Sequence, residues 1–258
     1  MSDGDFSADW LTLREPADAA ARDRGLVDVL RATLDGELVV RDLGCGTGSM
    51  GRWLAPRLGR RQHWVLMDRD PALLEHAREH LPEGVTVETR QGDVTGLTGA
   101  DLTGTDLVTC SALLDLLTEE EVGALARACA EAGTAALFTL SVTGEVSLDP
   151  ADPLDDDIAV AFNEHQRREA GGRRLLGPDA ADVAAAAFRA AGASVTVRPA
   201  PWRLSTRDTG LAAEWLRGWV GAAVEQRPDL RVDEYLKQRE ADGFAARVGH
   251  ADLLARFV

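Results

Sequence analysis

The sequence predicts a doubly wound α/β fold built on a mostly parallel sheet, and three observations carry that expectation. Strand-like and helix-like patterns alternate through the first two thirds of the chain, the mark of a parallel sheet covered on both faces. A short apolar run, Leu38-Val39-Val40, enters a glycine-rich turn over Gly44–Gly51 that opens a helix. With 258 residues, the chain suits one generous domain carrying an elaboration better than two domains.

The elements follow in order. Leu26, Val27, Leu30 and Leu34 recur at helical spacing and predict an amphipathic helix beside the first strand, Leu38–Val40. A helix is expected over Met50–Leu58, a strand over His63–Met67, and a helix that Pro71 opens because its missing N–H is not needed there. Val85–Thr89 and Asp106–Thr109 read as the third and fourth strands. Thr118-Glu119-Glu120-Glu121 starts a helix with a threonine cap and acids at its positive end. Ala135–Leu140 is the fifth strand; a loop crowded with Asp149, Asp152, Asp155, Asp156 and Asp157 follows, then a short helical run through His165. Pro178–Ala191 reads as another sheet-covering helix, Val195–Arg198 as the sixth strand, Leu211–Gly243 as helical, and Ala246–Phe257 as a seventh strand. That order puts a helical insert between strands six and seven.

Composition narrows the function classes. The formal charge of −15 repels phosphate backbones, and no basic cluster interleaved with aromatics offsets it, so nucleic acid is not an expected partner. Cys45, Cys110 and Cys129 are too few and too irregularly spaced for a metal cage or disulfide framework; no metal is expected, and a reducing, cytoplasmic setting fits. No apolar run approaches the roughly 20 residues that span a bilayer, and the first ten residues lack the basic and apolar regions of a leader, so no membrane is expected.

The strongest local signal is Val39-Val40-Arg41-Asp42-Leu43-Gly44-Cys45-Gly46-Thr47-Gly48. Glycines at alternate positions let main chain approach a ligand closely, because no Cβ intervenes. Gly46-Thr47-Gly48-Ser49-Met50-Gly51 also matches the dinucleotide pattern G-x-G-x-x-G, which opens a second reading, an NAD(P)-dependent oxidoreductase. In that reading a pyrophosphate sits on the helix N-terminus, where Asp42 adds an unfavourable charge. A sulfonium cofactor with an ammonium group carries no phosphate and can use such a carboxylate.

Here the chain resembles the class I S-adenosylmethionine-dependent methyltransferases, whose first motif is an acid followed by alternate glycines, as in Asp42 to Gly48. The resemblance continues at Asp68, where the family places an acid on the ribose hydroxyls, at Gly92-Asp93-Val94, near the adenine, and at Thr109 to Asp115, beside the methionine portion. It covers roughly Leu38 to Ser141, and more weakly the rest through a late antiparallel strand. The resemblance implies a Rossmann-like sheet of seven strands with the last one antiparallel. It also implies S-adenosylmethionine as cofactor, S-adenosylhomocysteine as product, and Arg14, Asp42, Gly44, Cys45, Gly46, Gly48, Asp68, Arg69, Asp93, Val94 and Ser111 as cofactor-binding residues. Arg14, in a segment that often folds over the methionine end in similar enzymes, is a candidate for its carboxylate, with a surface arginine as the other reading. Asp93 and Asp115 also read as turn formers, and Cys45 as a small turn residue.

On this reading the chain is one methyltransferase domain, 1–258, with an N-terminal helical segment (1–36) and a cofactor-binding core (37–145). An acidic loop and helix near the acceptor site (146–177) and a helical insert or lid (205–243) complete it. Methyl transfer needs alignment above all, with a base only for an alcohol, phenol or protonated amine. His165 and Asp115 are the tentative catalytic candidates, a solvated helix histidine being the alternative for His165. His76 and His80 lie i,i+4 but lack a third ligand and read as a solvated face, and His250 as structural. The acidic run could attract a cationic acceptor, whereas Arg167, Arg168, Arg173 and Arg174 could hold an acidic one. Trp202, Trp215 and Trp219, with Phe162, read either as a wall over an apolar acceptor or as core; an exposed tryptophan face would point to a homodimer or a non-catalytic Rossmann-like binding module. The expected partner is a small-molecule acceptor, modified on oxygen or nitrogen.

Overall fold

The computed structural model describes residues 7–205 and 209–257. Its sheet is built from β1 (Leu38–Leu43), β2 (Gln62–Asp68), β3 (Thr86–Gln91), β4 (Leu107–Ser111), β5 (Ala135–Asp149), β8 (Ser194–Pro199), β9 (Trp202–Leu204) and β10 (Ala245–Arg256). The strand order is β3-β2-β1-β4-β5-β10-β8, with β9 added alongside β10. Strands β1 to β5 pair in parallel, and β10 runs antiparallel to β5, β8 and β9. The expected seven strands with a reversed last one are present, and β9 is an eighth that the sequence reading did not contain. A separate hairpin, β6 (Glu169–Ala170) with β7 (Arg173–Arg174), stands off the sheet.

Period-two alternation sorts the strands onto two faces. Leu43, Val65, Met67, Val108, Cys110 and Phe138 point to one side, under α5 (Glu119–Ala132) and α7 (Ala180–Ala190). Val40, Trp64, Leu66, Leu107 and Leu137 point to the other, under α2 (Arg24–Thr33), α3 (Ser49–Leu58) and α4 (Pro71–His80). The helices start where capping chemistry dictates: Asp23 accepts from Leu26 N at 2.9 Å, Asp70 from Ala72 N at 2.8 Å with Pro71 behind it, and Thr118 forms a capping box with Glu121.

The fifth strand does not stop at Leu140. It continues to Asp149, paired with the first half of β10, and this projecting ribbon carries a core of its own. Over it pack α6 (Leu154–Gln166), α8 (Thr209–Gln226) and α9 (Asp233–Asp242), the last two replacing the single helical stretch expected over Leu211–Gly243. Trp202, Trp215 and Trp219 are all buried here, the last two stacked with centroids 5.3 Å apart, and Phe162 packs against them. The tryptophans are therefore core, and no exposed tryptophan face remains to argue for a homodimer. The acidic run is spent on structure: Asp155, Asp156 and Asp157 occupy the first turn of α6, where the helix dipole favours anions. Asp155 also receives Tyr235 Oη at 2.7 Å and Arg239 Nη2 at 2.8 Å.

The N-terminal segment, expected to be helical over 1–36, contains α1 (Ala8–Ala21) ahead of α2. It is fastened by Trp53 Nε1 to Ala19 O (3.2 Å), by Arg52 to Glu15, and by Trp202 Nε1 to Asp18 Oδ1 (3.0 Å). Among the described residues, no helix is long and apolar enough to cross a membrane.

Candidate functional site

Sheet order reverses between β1 and β4, the place where open α/β sheets leave a crevice at the carboxyl ends of their strands. A cavity of about 670 Å³ occupies it, of the size that small-ligand sites have. Its floor is the turn after β1. Gly44 (φ 62°) and Gly46 (φ 53°) hold left-handed conformations, and a Cβ on Gly44 would stand 2.7 Å from Leu113 Cδ2, one on Gly46 3.1 Å from Leu11 Cδ1. Gly48 differs. It caps α3, a Cβ there would meet Ala77 Cβ at 3.0 Å, and it does not line the cavity, so its smallness serves helix packing rather than a ligand.

The other expected cofactor positions converge. Arg14, Asp42, Gly44, Cys45, Gly46, Asp68, Arg69, Asp93, Val94 and Ser111 all line this one cavity. Asp42, the penultimate residue of β1, is buried; its Oδ1 accepts from Thr109 Oγ1 at 2.7 Å, while Oδ2 is buried with no partner. Burial pushes this carboxyl up to about 7, against the Thr109 hydrogen bond and the field of Arg22, both of which favour the ionised form. Asp68 has a structural task as well: Oδ2 accepts from Gly46 N at 2.8 Å and Oδ1 from Asp70 N at 3.0 Å, so it shapes the glycine turn it faces. Asp93 combines both of its expected readings, lining the cavity while Oδ1 accepts Thr95 N and Thr95 Oγ1, each at 2.8 Å. The Thr95 backbone N–H is the main reason that its carboxyl lies below the usual carboxylate range. Burial raises the Cys45 thiol, which keeps it protonated and inert.

Arg22, between α1 and α2, belongs to this site although nothing local in the sequence singles it out. Its guanidinium is buried; Nη2 donates to Ser111 Oγ (2.9 Å) and Ser49 Oγ (3.2 Å), both cavity residues, and Nη1 is buried with no partner. Arg22 does not itself line the cavity, but a carboxylate oxygen of one wall residue, Asp42, and a guanidinium nitrogen of the arginine that holds two others, Ser49 and Ser111, are both buried without a partner, and each is costly unless something answers it. Arg14, by contrast, is already engaged: Nε lies 3.0 Å from Asp18 Oδ2, and the guanidinium sits 5.0 Å from the Trp202 ring centroid.

The opposite wall is made by α1, by the turn after β4 and by the β6–β7 hairpin. Ala112 leaves β4 with φ 51°, strained for a residue with a Cβ, and turns the chain so that Leu113, Leu116 and Leu117 face the cavity. Asp115, within that turn, is not itself a wall residue; its Oδ1 is buried without a partner, and burial raises its carboxyl while Arg14 and Arg168 pull the other way. His165 is not brought to the cavity: its Nε2 lies 3.9 Å from Glu225 on α8. None of Asp149, Asp152, Asp155, Asp156 or Asp157 lines it, nor do Trp202, Trp215 and Trp219; the 146–177 segment reaches the cavity through Arg168, Ala170, Gly171, Arg173 and Leu175. His76 and His80 stack 4.1 Å apart on an exposed helix face. Among the described residues, no group of three or more His, Cys, Asp or Glu is placed to hold a metal ion.

A family model described as "Methyltransferase domain" matches residues 40–133, the stretch from β1 to the end of α5 that supplies most of the cavity. The fold is similar to that of the cyclopropane synthase MmaA2 from Mycobacterium tuberculosis (14% identity, TM-score 0.52, covering 97% of this chain and 95% of that one). It is also similar to the mycolic acid cyclopropane synthase CmaA1, solved with SAH and CTAB (15%, 0.52, 95% and 94%). The YcgJ protein of Bacillus subtilis is a further likeness (15%, 0.52, 92% and 100%). No curated protein matches the chain.

Proposed function

We propose that the chain is a class I S-adenosylmethionine-dependent methyltransferase that methylates a small molecule on oxygen or nitrogen, a reading supported by its methyltransferase domain over residues 40–133. The observation that carries the cofactor assignment to this cavity is the orphaned pair, Asp42 Oδ2 and Arg22 Nη1. A methionine portion ends in an ammonium and a carboxylate, which answer these two groups, and Gly44 and Gly46 bring main chain to the cavity. Asp68 and Asp93 line the remainder as acceptors for the ribose hydroxyls and the adenine amino group. A dinucleotide puts a pyrophosphate near the glycine turn, and neither of its phosphates satisfies the buried Asp42; Asp68 does not separate the two readings, because a dinucleotide's ribose also takes an acid there.

When bound, the cofactor supplies an electrophilic methyl group on a sulfonium. The chain's own part is to align and to exclude water. Leu11 on α1 closes against Gly46, and Leu113 against Gly44, so the reacting region is walled by hydrocarbon. Asp115 does not line the cavity, so this reading gives it no proton-transfer role and rests the reaction on alignment. Charge and cavity size both favour a small acceptor over nucleic acid. The described cysteines are free thiols, which suits a cytoplasmic setting.

Calorimetry tests the cofactor reading. S-adenosylhomocysteine is expected to bind in the micromolar range and NADH not at all, and Asp68→Ala is expected to weaken the former tenfold or more, on the order of 1.4 kcal/mol. Equal affinity in both proteins removes Asp68 from the cofactor site, and tight NADH binding reinstates the oxidoreductase.

A further inference from the structure

Strands β5 and β10 pair through an irregularity. Between the pairs Leu253–Phe138 and Ala251–Ser141, β10 supplies one residue, Asp252, and β5 supplies two, Thr139 and Leu140. This is a bulge, which bends a strand and re-aims the side chains it carries. Leu140 takes φ 58°, a left-handed conformation that strains a residue with a Cβ, and it is fully buried. Its N–H donates to Asp252 Oδ1 at 2.8 Å. The other carboxylate oxygen, Oδ2, accepts Asp23 N at 2.7 Å, and Asp23 directly follows Arg22 and caps α2.

One carboxylate therefore ties the main chain beside Arg22 to the main chain beside Thr139. The side chains of these two residues also meet: Arg22 Nε donates to Thr139 Oγ1 at 3.4 Å, and Thr139 Oγ1 donates to Ser111 Oγ at 3.0 Å, the same hydroxyl that receives Arg22 Nη2.

We propose that Asp252 is a positioning residue for the methionine end of the cofactor, touching no ligand itself and acting by fixing Arg22, whose guanidinium answers the ligand's carboxylate. The inference rests on the methyltransferase reading and on the part given there to Arg22. Asp252 is 1% exposed and does not line the cavity, so it has no direct route to a ligand. Burial pushes its carboxyl up to about 6, against the two backbone N–H groups and the field of Arg22, which leaves it charged at neutral pH. Burial likewise lowers the Arg22 guanidinium, and Asp18 and Asp252 are the chief anions opposing that. A carboxylate serving the bulge alone needs only the bond to Leu140; the second bond, 229 residues away in sequence, reaches the chain beside Arg22. An arginine has many rotamers, and holding both its backbone and its Nε decides where its remaining N–H groups point before a ligand arrives.

Calorimetry on the full chain tests this, with S-adenosylhomocysteine and methylthioadenosine as probes and a cycle of parent, Arg22→Met, Asp252→Asn and the double variant. Asp252→Asn keeps the shape of the side chain and removes its charge and one acceptor. It is expected to weaken S-adenosylhomocysteine about tenfold and methylthioadenosine by no more than about twofold, whatever the fall in Tm. The double variant is expected to bind S-adenosylhomocysteine no more weakly than Arg22→Met alone, because a residue that acts through Arg22 then has nothing left to position. Equal weakening of both probes, an S-adenosylhomocysteine affinity like the parent's, or losses that add in the double variant overturns the proposal. Should Asp252→Asn not fold, Thr139→Val stands in, since it removes only the hydroxyl beside Arg22 Nε. A selective loss of about threefold is expected there, and an unchanged ratio of the two affinities overturns the proposal. Failure of the parent protein to bind S-adenosylhomocysteine overturns the methyltransferase reading instead, so the two ideas fail separately.

Discussion

The carboxyl ends of β1 to β4 and the carboxyl end of β5 lie along one edge of one sheet and meet opposite fates. The ladders of β1 with β2 and β4 close at Leu43–Met67 and Leu43–Cys110, and β2 with β3 at Asp68–Gln91, so these strands stop together and release their turns into an open crevice. Beyond its last pairing with β4, Ser111 to Thr139, β5 runs on to Asp149 because β10 accompanies it, and α6, α8 and α9 cover the result with tryptophan and leucine. Where the strands end, backbone and carboxylates face the cavity; where one strand continues, its side chains find protein partners. The same edge thus yields a polar site and a dry core, separated by whether an antiparallel neighbour is available to prolong the strand.

The sharpest way to break that separation is Trp219→Ala. Trp219 is 2% exposed, and truncating a buried tryptophan costs about 3–5 kcal/mol. A large drop in Tm is expected together with unaltered S-adenosylhomocysteine affinity in the folded protein. A loss of affinity that outlasts refolding at lower temperature, with Tm little changed, would make the upper core part of the site after all.

What was legible follows the same division. Asp42, Gly44, Gly46 and Asp68 could be placed on the cavity because each lies at the end of a strand whose apolar run is visible, and Asp93 because it follows the alternation of Val85–Thr89. Arg22 could not, because its place in the site comes from Ser49 and Ser111, 27 and 89 residues away. The length of β5 was hidden for a similar reason: Gly144-Glu145 interrupts the strand pattern with two poor strand formers, and the stretch beyond it pairs with β10. Trp215 and Trp219 show the limit of periodicity, since i,i+4 spacing marks a shared face without saying what covers it. The hairpin did leave a signal, Gly171-Gly172 between residues of alternating character, which the cluster of arginines around it obscured.

Within the crevice, Arg22 sharpens the contrast between a group that holds the fold and one that holds a ligand. Arg22→Met is expected to weaken S-adenosylhomocysteine about thirtyfold, about 2 kcal/mol, in the range for a hydrogen bond to a charged group. Methylthioadenosine, which lacks the amino-acid end, is expected to bind the variant as it binds the parent protein, and Arg22→Lys to recover part of the loss. Equal weakening of both ligands would reduce Arg22 to a brace for Ser49 and Ser111.

The smallest expected effect concerns Asp42, whose carboxyl burial raises to about 7. A ligand ammonium needs it ionised, so S-adenosylhomocysteine affinity is expected to fall as pH drops below 7, by about tenfold per unit, or roughly 1.4 kcal/mol. Stability of the free protein moves the other way. Because the folded pKa exceeds the unfolded value of 3.8, the native state holds a proton between these two values that the unfolded chain has released. The Asp42 contribution is therefore full below pH 3.8 and is lost as pH rises through 7. Asp42→Asn removes both slopes at once. Calorimetry at pH 6 and 7 beside parallel denaturant titrations reads the pair, and methylthioadenosine supplies the control with no ammonium to answer. An affinity slope that survives in Asp42→Asn would place the titrating group elsewhere in the crevice and leave the buried Oδ2 of Asp42 without a ligand.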